Sequence, residues 1–299
     1  MNAEPMNADP CMLCNTSDFR VIHQKKQWQY RRCLNCDLVS LYPRPTPREF
    51  RDNYDQYLPM GSADIREWKK MMQPVVDKSA DLIESQSKTG KGKLLDIGCG
   101  YGFFLEEMAL RGWQVQGLEI SRTGRQYARN QLNLEVYSEP LENLVFPENA
   151  FDVVTLFYVI EHVLEPLALL KAVKRILKPG GFVLLRWPHT TPIVRILGPL
   201  ARKLDLYHTP YHIHDFSPKT IKRLLELSGF EAIETRITGY TLPAQRLSRF
   251  ASIFFGCMGE AFYSLSGGNF LLPGISKTTL AGFVGYMVER RITTPPIFS

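Results

Sequence analysis

The chain has 299 residues, of which 44% are hydrophobic, and carries a net charge of +6. This length can bury one large core with a small appendage, so two structural units are expected. The charge falls short of the dense lysine and arginine clustering of dedicated nucleic-acid binders, and no nucleic-acid partner is expected. Residues 1–5 contain no basic stretch leading into an apolar run, which argues against a secretory signal and favours a cytoplasmic location.

Two C-x-x-C pairs lie near the amino terminus, Cys11 with Cys14 and Cys33 with Cys36. Pairs about twenty residues apart can deliver four thiolates to one tetrahedral zinc ion. A reducing compartment disfavours disulfides, and a thioredoxin-like redox site needs one pair opening a helix. Residues 19–22 and 28–32 alternate as short strands. Residues 1–42 are therefore predicted to form a ribbon that depends on a structural zinc with no open ligand position.

Three prolines between positions 43 and 47 predict an extended linker, which would begin at about residue 41. From residue 48 to about residue 87, aromatic and apolar residues recur at helical spacing. Residues 43–90 are thus predicted to be a linker followed by helices. These helices either cover a ligand cleft or simply pack on the core.

Three alternate glycines follow the apolar run at residues 94–97, and an amphipathic helix follows the glycines. The pattern predicts a strand, a tight turn and a helix whose free N–H groups face a ligand. A dinucleotide loop fits poorly because Phe103 stands where its third glycine belongs, and the lysine of a P-loop is missing. Asp96 adds a carboxylate at the end of the strand, which favours a cationic ligand over a phosphate.

The segment D-I-G-C-G-Y-G at residues 96–102 resembles motif I of class I S-adenosylmethionine (SAM) methyltransferases. Downstream, residues 117–121 resemble the second strand and its acid, and residues 151–162 the fourth strand with its E-H exit. Residues 177–185 resemble the turn into the fifth strand. Alternating strands and helices over residues 91–240 predict an α/β fold with a doubly wound, mostly parallel sheet, which would bind its ligand beyond the carboxyl ends of the strands.

The resemblance implies that SAM is the cofactor and that Glu119 accepts hydrogen bonds from both ribose hydroxyls. Glutamine at this position would then bind SAM with an affinity between those of the wild type and alanine. The backbone N–H of Leu141 would face adenine. The implied cofactor-binding residues are Asp96, Gly98, Gly100, Tyr101, Gly102, Glu119, Ile120, Leu141 and Phe157.

Four histidines are candidates for a catalytic base, because imidazole accepts a proton near neutral pH. His162 follows the fourth strand, His189 follows the fifth, and His212 and His214 belong to an H-x-H-x-F-S-P run that the family places over the substrate pocket. Packing or capping roles are the alternative for each of them. The Glu-His pair at 161–162 is also similar to the E-x-x-E-H metal ligands of quinone-precursor and small-RNA methyltransferases. Tyr158 replaces the earlier glutamate, which speaks against a catalytic divalent metal.

Two apolar regions lie beyond the motifs. Residues 192–206, within a substrate-side insertion at about 188–216, read as a basic amphipathic helix, and residues 241–299 form an apolar extension. Neither contains the roughly eighteen uninterrupted apolar residues that a membrane span needs. Peripheral membrane contact is one interpretation, but core packing or a dimer contact is favoured because such stripes ordinarily lie on a core. The oligomeric state stays open.

Zinc-ribbon methyltransferases of deoxysugar and polysaccharide pathways look similar across nearly the whole chain. The resemblance implies methyl transfer to a small molecule, such as a sugar nucleotide, a glycan, a quinone or a lipid-like acceptor. One alternative is a ribosomal or transfer RNA methyltransferase, which would grip RNA with the basic and aromatic residues of the ribbon. These are Lys25, Lys26, Trp28, Tyr30, Arg31 and Arg32. Another alternative is a non-catalytic interaction protein on the same scaffold.

Overall fold

The computed structural model describes residues 9–46, 49, 58, 61–87, 90–202, 205–272 and 275–282. Most of the predicted helical segment before residue 61, and the apolar residues from 283 onward, lie outside these ranges. The described residues form two sheets, one of four strands and one of seven. None of the helices in these ranges is long and apolar enough to cross a membrane.

The smaller sheet begins with three antiparallel strands, β1 (Phe19–Lys25), β2 (Trp28–Cys33) and β3 (Val39–Tyr42). This confirms the two strands predicted between the cysteine pairs. β3 extends to Tyr42, which pairs with Gln29, so the segment that follows the ribbon strands begins at residue 43. The fourth strand, β9 (His214–Asp215), comes from far downstream and pairs with β3. The ribbon therefore shares its sheet with the end of the segment at about 188–216.

The larger sheet confirms the predicted doubly wound architecture. It contains β4 (Lys93–Ile97), β5 (Gln114–Leu118), β6 (Val136–Tyr137), β7 (Phe151–Phe157), β8 (Leu177–Trp187), β10 (Glu231–Arg236) and β11 (Lys277–Gly282). The order across the sheet is β10-β11-β8-β7-β4-β5-β6. The run from β8 to β6 is parallel, and β11 is antiparallel to both of its neighbours.

Helices cover both faces of this sheet. They are α1 (Ser62–Gln86), α2 (Phe103–Leu110), α3 (Arg122–Leu132), α4 (Pro166–Ile176), α5 (Thr191–Leu197), α6 (Pro218–Leu227) and α7 (Arg246–Leu265). Leu94 and Leu95 point to opposite faces, so α1 and α2 pack on one side of β4 and α4 and α6 on the other. The predicted helix after Ser217 is confirmed, and Ser217 and Thr220 form its capping box.

The ribbon packs directly on the methyltransferase-like core. Cys11, Leu13, Cys33 and Leu38 belong to the same buried apolar cluster as the α4 and α6 side of the sheet. Burial of these side chains against the larger sheet fixes the ribbon beside the carboxyl ends of the parallel strands, where a ligand is expected.

Candidate active site

The three glycines between β4 and α2 have different tasks, although each has a positive φ. A Cβ at Gly98 would lie 2.4 Å from Val159 Cγ2, and one at Gly102 would lie 2.6 Å from Leu134 Cδ1. Those two glycines are needed because the surrounding chain leaves no room for a side chain. A Cβ at Gly100 would meet no atom within 4 Å. Gly100 therefore opens on the cleft, and its backbone is accessible to a ligand.

Glu119 stands directly after β5 and holds this loop in place. Its Oε2 accepts a hydrogen bond of 2.7 Å from the Gly100 N–H, and its Oε1 accepts one of 2.6 Å from the Ser121 N–H. Ser121 is the N-cap of α3. One buried carboxylate thus joins the glycine loop to the start of the next helix, by two charge-assisted bonds.

Asp96 lies at the end of β4 and is also buried. Its Oδ1 accepts a hydrogen bond of 2.6 Å from Thr155 Oγ1. Burial raises the pKa of Asp96 to about 7, so a nearby cation would shift the carboxyl to its ionised form at neutral pH.

Two adjoining cavities meet at the glycine loop. They have volumes of about 290 and 310 Å³ and share Gly98, Glu119 and Val159 in their walls. The first cavity reaches Asp96, and the second is enclosed mainly by apolar side chains, among them Ile120. The pair forms one cleft with a first arm that reaches Asp96 and a second, more apolar arm.

The structure brings together eight of the nine residues that were predicted to bind the cofactor. The first cavity is lined by Asp96, Gly98, Gly100, Tyr101, Glu119 and Phe157, and the second by Gly98, Glu119, Ile120 and Leu141. Gly102 lies outside both walls, among the described lining residues, and packs toward α3. Its contribution is the shape of the turn.

Two of the four predicted histidines line the cleft and two lie outside it. His162 lines the second cavity and His212 the first, and their rings lie 4.8 Å apart. His214 is buried in β9, where its Nδ1 lies 3.1 Å from Ser40 Oγ, and His189 lies beside Trp187. Neither of these two lines the cleft. His208, which the sequence did not single out, lines the first cavity with its ring 5.1 Å from that of His212.

Glu161, His162 and His212 form a buried cluster whose ligand atoms all lie within 4.8 Å of one another. In the described part of the chain, neither carboxylate oxygen of Glu161 has a hydrogen-bond partner. Burial raises the pKa of Glu161 to about 8 and lowers that of His162 to about 4. An unpaired buried carboxylate is costly, and a divalent cation would relieve this cost. The donor set therefore fits a metal, because His212 supplies the ligand that Tyr158 cannot.

The four ribbon cysteines also gather within ligand distance of one another. Sγ of Cys11 lies 3.4 Å from that of Cys36, and Sγ of Cys14 lies 3.5 Å from that of Cys33. Burial raises the pKa of Cys11 to about 11. Four thiols in this arrangement fit a tetrahedral zinc ion, whose binding would release their protons.

The ribbon reaches the cleft through Tyr30, a fully buried residue of β2. Its hydroxyl donates to the carbonyl oxygens of His212, at 2.7 Å, and Tyr207, at 3.2 Å. Ile213, the residue after His212, makes two backbone hydrogen bonds of 2.8 Å: its carbonyl oxygen accepts from the Leu41 N–H, and its N–H donates to Glu161 O. The segment carrying His212 is thus held between the ribbon and the end of β7.

A family model described as a methyltransferase domain matches residues 62–235. The chain belongs to this family. The matched range runs from α1 to β10 and contains the glycine loop, both acids and the Glu161–His162–His212 cluster. The ribbon, α7 and β11 lie outside the matched range of the methyltransferase domain.

Curated relatives include ubiquinone biosynthesis O-methyltransferases. The chain is 32% identical to that of Dinoroseobacter shibae over 153 residues, which are 48% of this chain and 62% of the relative. It is 34% identical to that of Pseudomonas putida over 145 residues, or 44% of this chain and 60% of the relative. The match therefore spans about 60% of the length of these relatives.

Solved structures share the fold. Phosphoethanolamine N-methyltransferase 2 of Haemonchus contortus, in complex with SAM, aligns with a TM-score of 0.54 and 19% identity, over 82% of this chain and 63% of the other. A SAM-dependent methyltransferase from Thermotoga maritima aligns with a TM-score of 0.51 and 16% identity, over 78% of this chain and 99% of the other.

Proposed function

We propose that this protein is a SAM-dependent methyltransferase that methylates a hydroxyl group of a small molecule. The observation that carries the proposal is the position of Glu119, which lines both arms of the cleft and holds the glycine loop between them. SAM has the matching parts in the matching order, because a ribose joins its charged amino-acid end to its flat, largely apolar adenine.

The described residues fit each part of SAM. A carboxylate oxygen has two lone-pair directions, so each oxygen of Glu119 can accept a ribose hydroxyl beside its backbone bond. Asp96 lies in the arm for the cationic methionine end, over the open backbone of Gly100. Ile120 and Leu141 line the apolar arm, which suits adenine.

The first cavity continues beyond Phe157 into a space that suits an acceptor with an apolar body and a hydroxyl group. Trp68, Met71 and Val75 of α1 form one wall, and His208, His212 and Glu161 supply polar groups on the other. The names of the curated relatives refer to O-methylation in ubiquinone biosynthesis. Together these observations favour a phenolic, quinone-like acceptor over a sugar nucleotide.

SAM, when bound, supplies a methyl group that its sulfonium already activates. The residues of the cleft hold the acceptor oxygen in line with that methyl, which accounts for most of the rate gain in such a reaction. A carbon–oxygen bond forms as the carbon–sulfur bond breaks, leaving S-adenosylhomocysteine, and the hydroxyl proton passes to an imidazole. Burial lowers the pKa of His212 well below its usual value, so this imidazole is neutral but weakly basic, and it would take the proton only as the hydroxyl becomes acidic during methyl transfer.

A divalent ion held by Glu161, His162 and His212 would lower the pKa of an acceptor hydroxyl. In that case His212 is engaged as a ligand, and His208 is the imidazole left to accept the proton. Activity that is lost in a chelator and restored by a divalent ion other than zinc favours this metal, since zinc would also refill the ribbon; activity unaffected by the chelator favours proton transfer to an imidazole without a metal.

Two experiments test the proposed activity. Calorimetry should show SAM binding to the purified protein, and its absence would refute the assignment. Mass spectrometry should show a mass gain of one methyl group on catechol-like acceptors of increasing apolar length. Methylation of RNA instead would favour the alternative, but the ribbon gives it little support. Lys25 forms an ion pair of 2.6 Å with Asp205, Arg32 pairs with Asp37, and Tyr30 is buried.

We also propose that the ribbon holds one structural zinc ion. The gathered thiols of the four cysteines support this site, and their complete set leaves no ligand position for catalysis.

A further inference from the structure

Helix α7 presents its polar and small side chains to the protein. Ser252 Oγ donates to Thr241 O at 2.5 Å, and Glu260 Oε1 accepts from the Gly239 N–H at 2.7 Å. Gly256 lies against Tyr240 so closely that a Cβ would be 2.3 Å from its ring, and Gly259 similarly faces Ile275. Glycines and hydrogen bonds, rather than an apolar stripe, attach this helix to the fold.

The apolar side chains of α7 face outward. Phe250 is 69% exposed and Phe254 is 52% exposed, and the outward set comprises Leu247, Phe250, Phe254, Phe255, Phe262 and Leu265. We call these six residues the α7 apolar face. Soluble proteins seldom expose so many large apolar side chains on one element without a binding role. The sequence favours core packing or a dimer contact for this region; in the described part of the chain the apolar side of α7 is exposed, which leaves the dimer contact as an outcome of the test below.

The α7 apolar face borders a third cavity, which adjoins the active-site cleft. This cavity has a volume of about 270 Å³, and Phe255 and Gly256 of α7 contribute to its wall. Tyr158 and Thr241 line both this cavity and the first cavity of the cleft. These two residues therefore stand between the α7 surface and the acceptor side of the site.

The exposed charges of α7 itself are basic. Arg246 and Arg249 are exposed in its first turn, and Glu260, the one acid of the helix, is turned inward. The neighbouring acid Glu234, which lies 3.5 Å from the Tyr263 hydroxyl, is paired with Arg236. Aromatic and aliphatic side chains bordered by arginine are the composition that binds an anionic phospholipid surface.

We propose that the α7 apolar face docks this protein on an anionic membrane surface and that the acceptor is an amphiphile dissolved in that membrane. The second half rests on the proposed function, because it deepens the substrate class of the same site. We choose a bilayer over a protein partner or a second copy because the exposed Arg246 and Arg249 match anionic headgroups. The third cavity, beside α7, adjoins the first at Tyr158 and Thr241, which brings the lipid phase close to the acceptor side of the site.

Sedimentation with vesicles tests the docking. Wild-type protein should bind vesicles of phosphatidylcholine with phosphatidylglycerol more tightly than vesicles of phosphatidylcholine alone. F250S/F254S should weaken binding at least roughly tenfold, because the two rings no longer enter the interface. R246Q/R249Q should weaken binding to anionic vesicles by roughly tenfold or more and leave neutral vesicles unaffected. L110S is the matched control, since Leu110 is 80% exposed at the far end of α2, and should bind as the wild type does.

Three results would overturn the docking. One is a wild type that does not bind anionic vesicles, and another is a lipid-free dimer that F250S/F254S dissociates. The third is a fall in melting temperature for F250S/F254S, which would mean that another part of the chain covers the face. SAM affinity separates the two proposals, since each of these variants should bind SAM as the wild type does. A wild type that binds vesicles but not SAM would refute the proposed function and retain the docking surface.

Discussion

Replacing Glu119 with glutamine tests the central element of the site. The carboxylate serves two backbone donors, the N–H groups of Gly100 and Ser121, with one oxygen each. An amide has one oxygen, so its NH₂ group must face one of these two donors. The structure therefore changes the expectation from sequence. Glutamine should not bind SAM with an affinity between those of glutamate and alanine, because its NH₂ group would face a backbone N–H, and alanine places no donor there.

The magnitude follows from these contacts. A buried N–H left without an acceptor costs about 1–3 kcal/mol, and the remaining bond loses its charge-assisted part, so Glu119→Gln should lower the free energy of unfolding by roughly 2–4 kcal/mol. At roughly 2–4 °C per kcal/mol for a chain of this size, the melting temperature should fall by roughly 5–15 °C. The affinity for SAM should fall by roughly one to two powers of ten, since the ribose bonds weaken in the same way.

Melting without SAM and calorimetry with SAM separate the two effects of this substitution. Glu148→Gln is the matched control, because Glu148 is an exposed carboxylate that lines neither cavity of the cleft. The control should leave both quantities unchanged. The reasoning fails if Glu119→Gln melts within about a degree of the wild type and binds SAM equally well.

Four further predictions concern other parts of the site. Burial raises the pKa of Asp96 from 3.8 to about 7, so the folded protein holds a proton that the unfolded chain has released in this range; the contribution of Asp96 to the free energy of unfolding should fall as the pH rises from 3.8 to about 7, and the difference between the wild type and Asp96→Asn in urea titrations should show that decline. Gly100→Val should abolish SAM binding in calorimetry and lose the stability that a branched residue costs at a positive φ, whereas Gly102→Val should lower the melting temperature further because its side chain would also meet Leu134; the reverse order would contradict the geometry. Tyr30→Phe should lower kcat about tenfold with unchanged SAM affinity, since two buried carbonyls lose their donor, and an equal loss of SAM affinity would argue against a positioning role. Metal analysis should find one zinc per chain, and protein purified without chelator that lacks zinc would refute the ribbon site.

The local sequence pattern was enough to predict which residues line the cleft at the glycine loop. The glycine loop, Asp96 and Glu119 all lie within a strand–turn–helix unit or at the end of the next parallel strand, and that geometry follows from short-range rules. Likewise, the paired C-x-x-C spacing predicted that four thiols would gather, because two tight turns position their own ligands.

Contacts distant in sequence could not be predicted in this way. His212 joins Glu161 only because β9 pairs with the ribbon, and nothing in the local sequence of either residue specifies that pairing. Tyr30 was counted as an exposed aromatic, although its ring stacks on Tyr207 with centroids 4.1 Å apart. Helical periodicity predicted an apolar stripe on α7. It could not predict which side of the helix packs on the protein, because two glycines and one inward-facing glutamate make those contacts.

The strand pairing between β3 and β9 sets an order of events during synthesis. The amino-terminal strands leave the ribosome first, yet their partner at His214–Asp215 follows more than 170 residues later. At roughly 5–20 residues per second, the edge of β3 waits about 10–35 s for its fourth strand. Zinc captured early by the cysteines would keep this nascent edge ordered in the interval. Cells short of zinc should therefore accumulate misfolded newly made chains of this protein, while copies completed beforehand keep their structure.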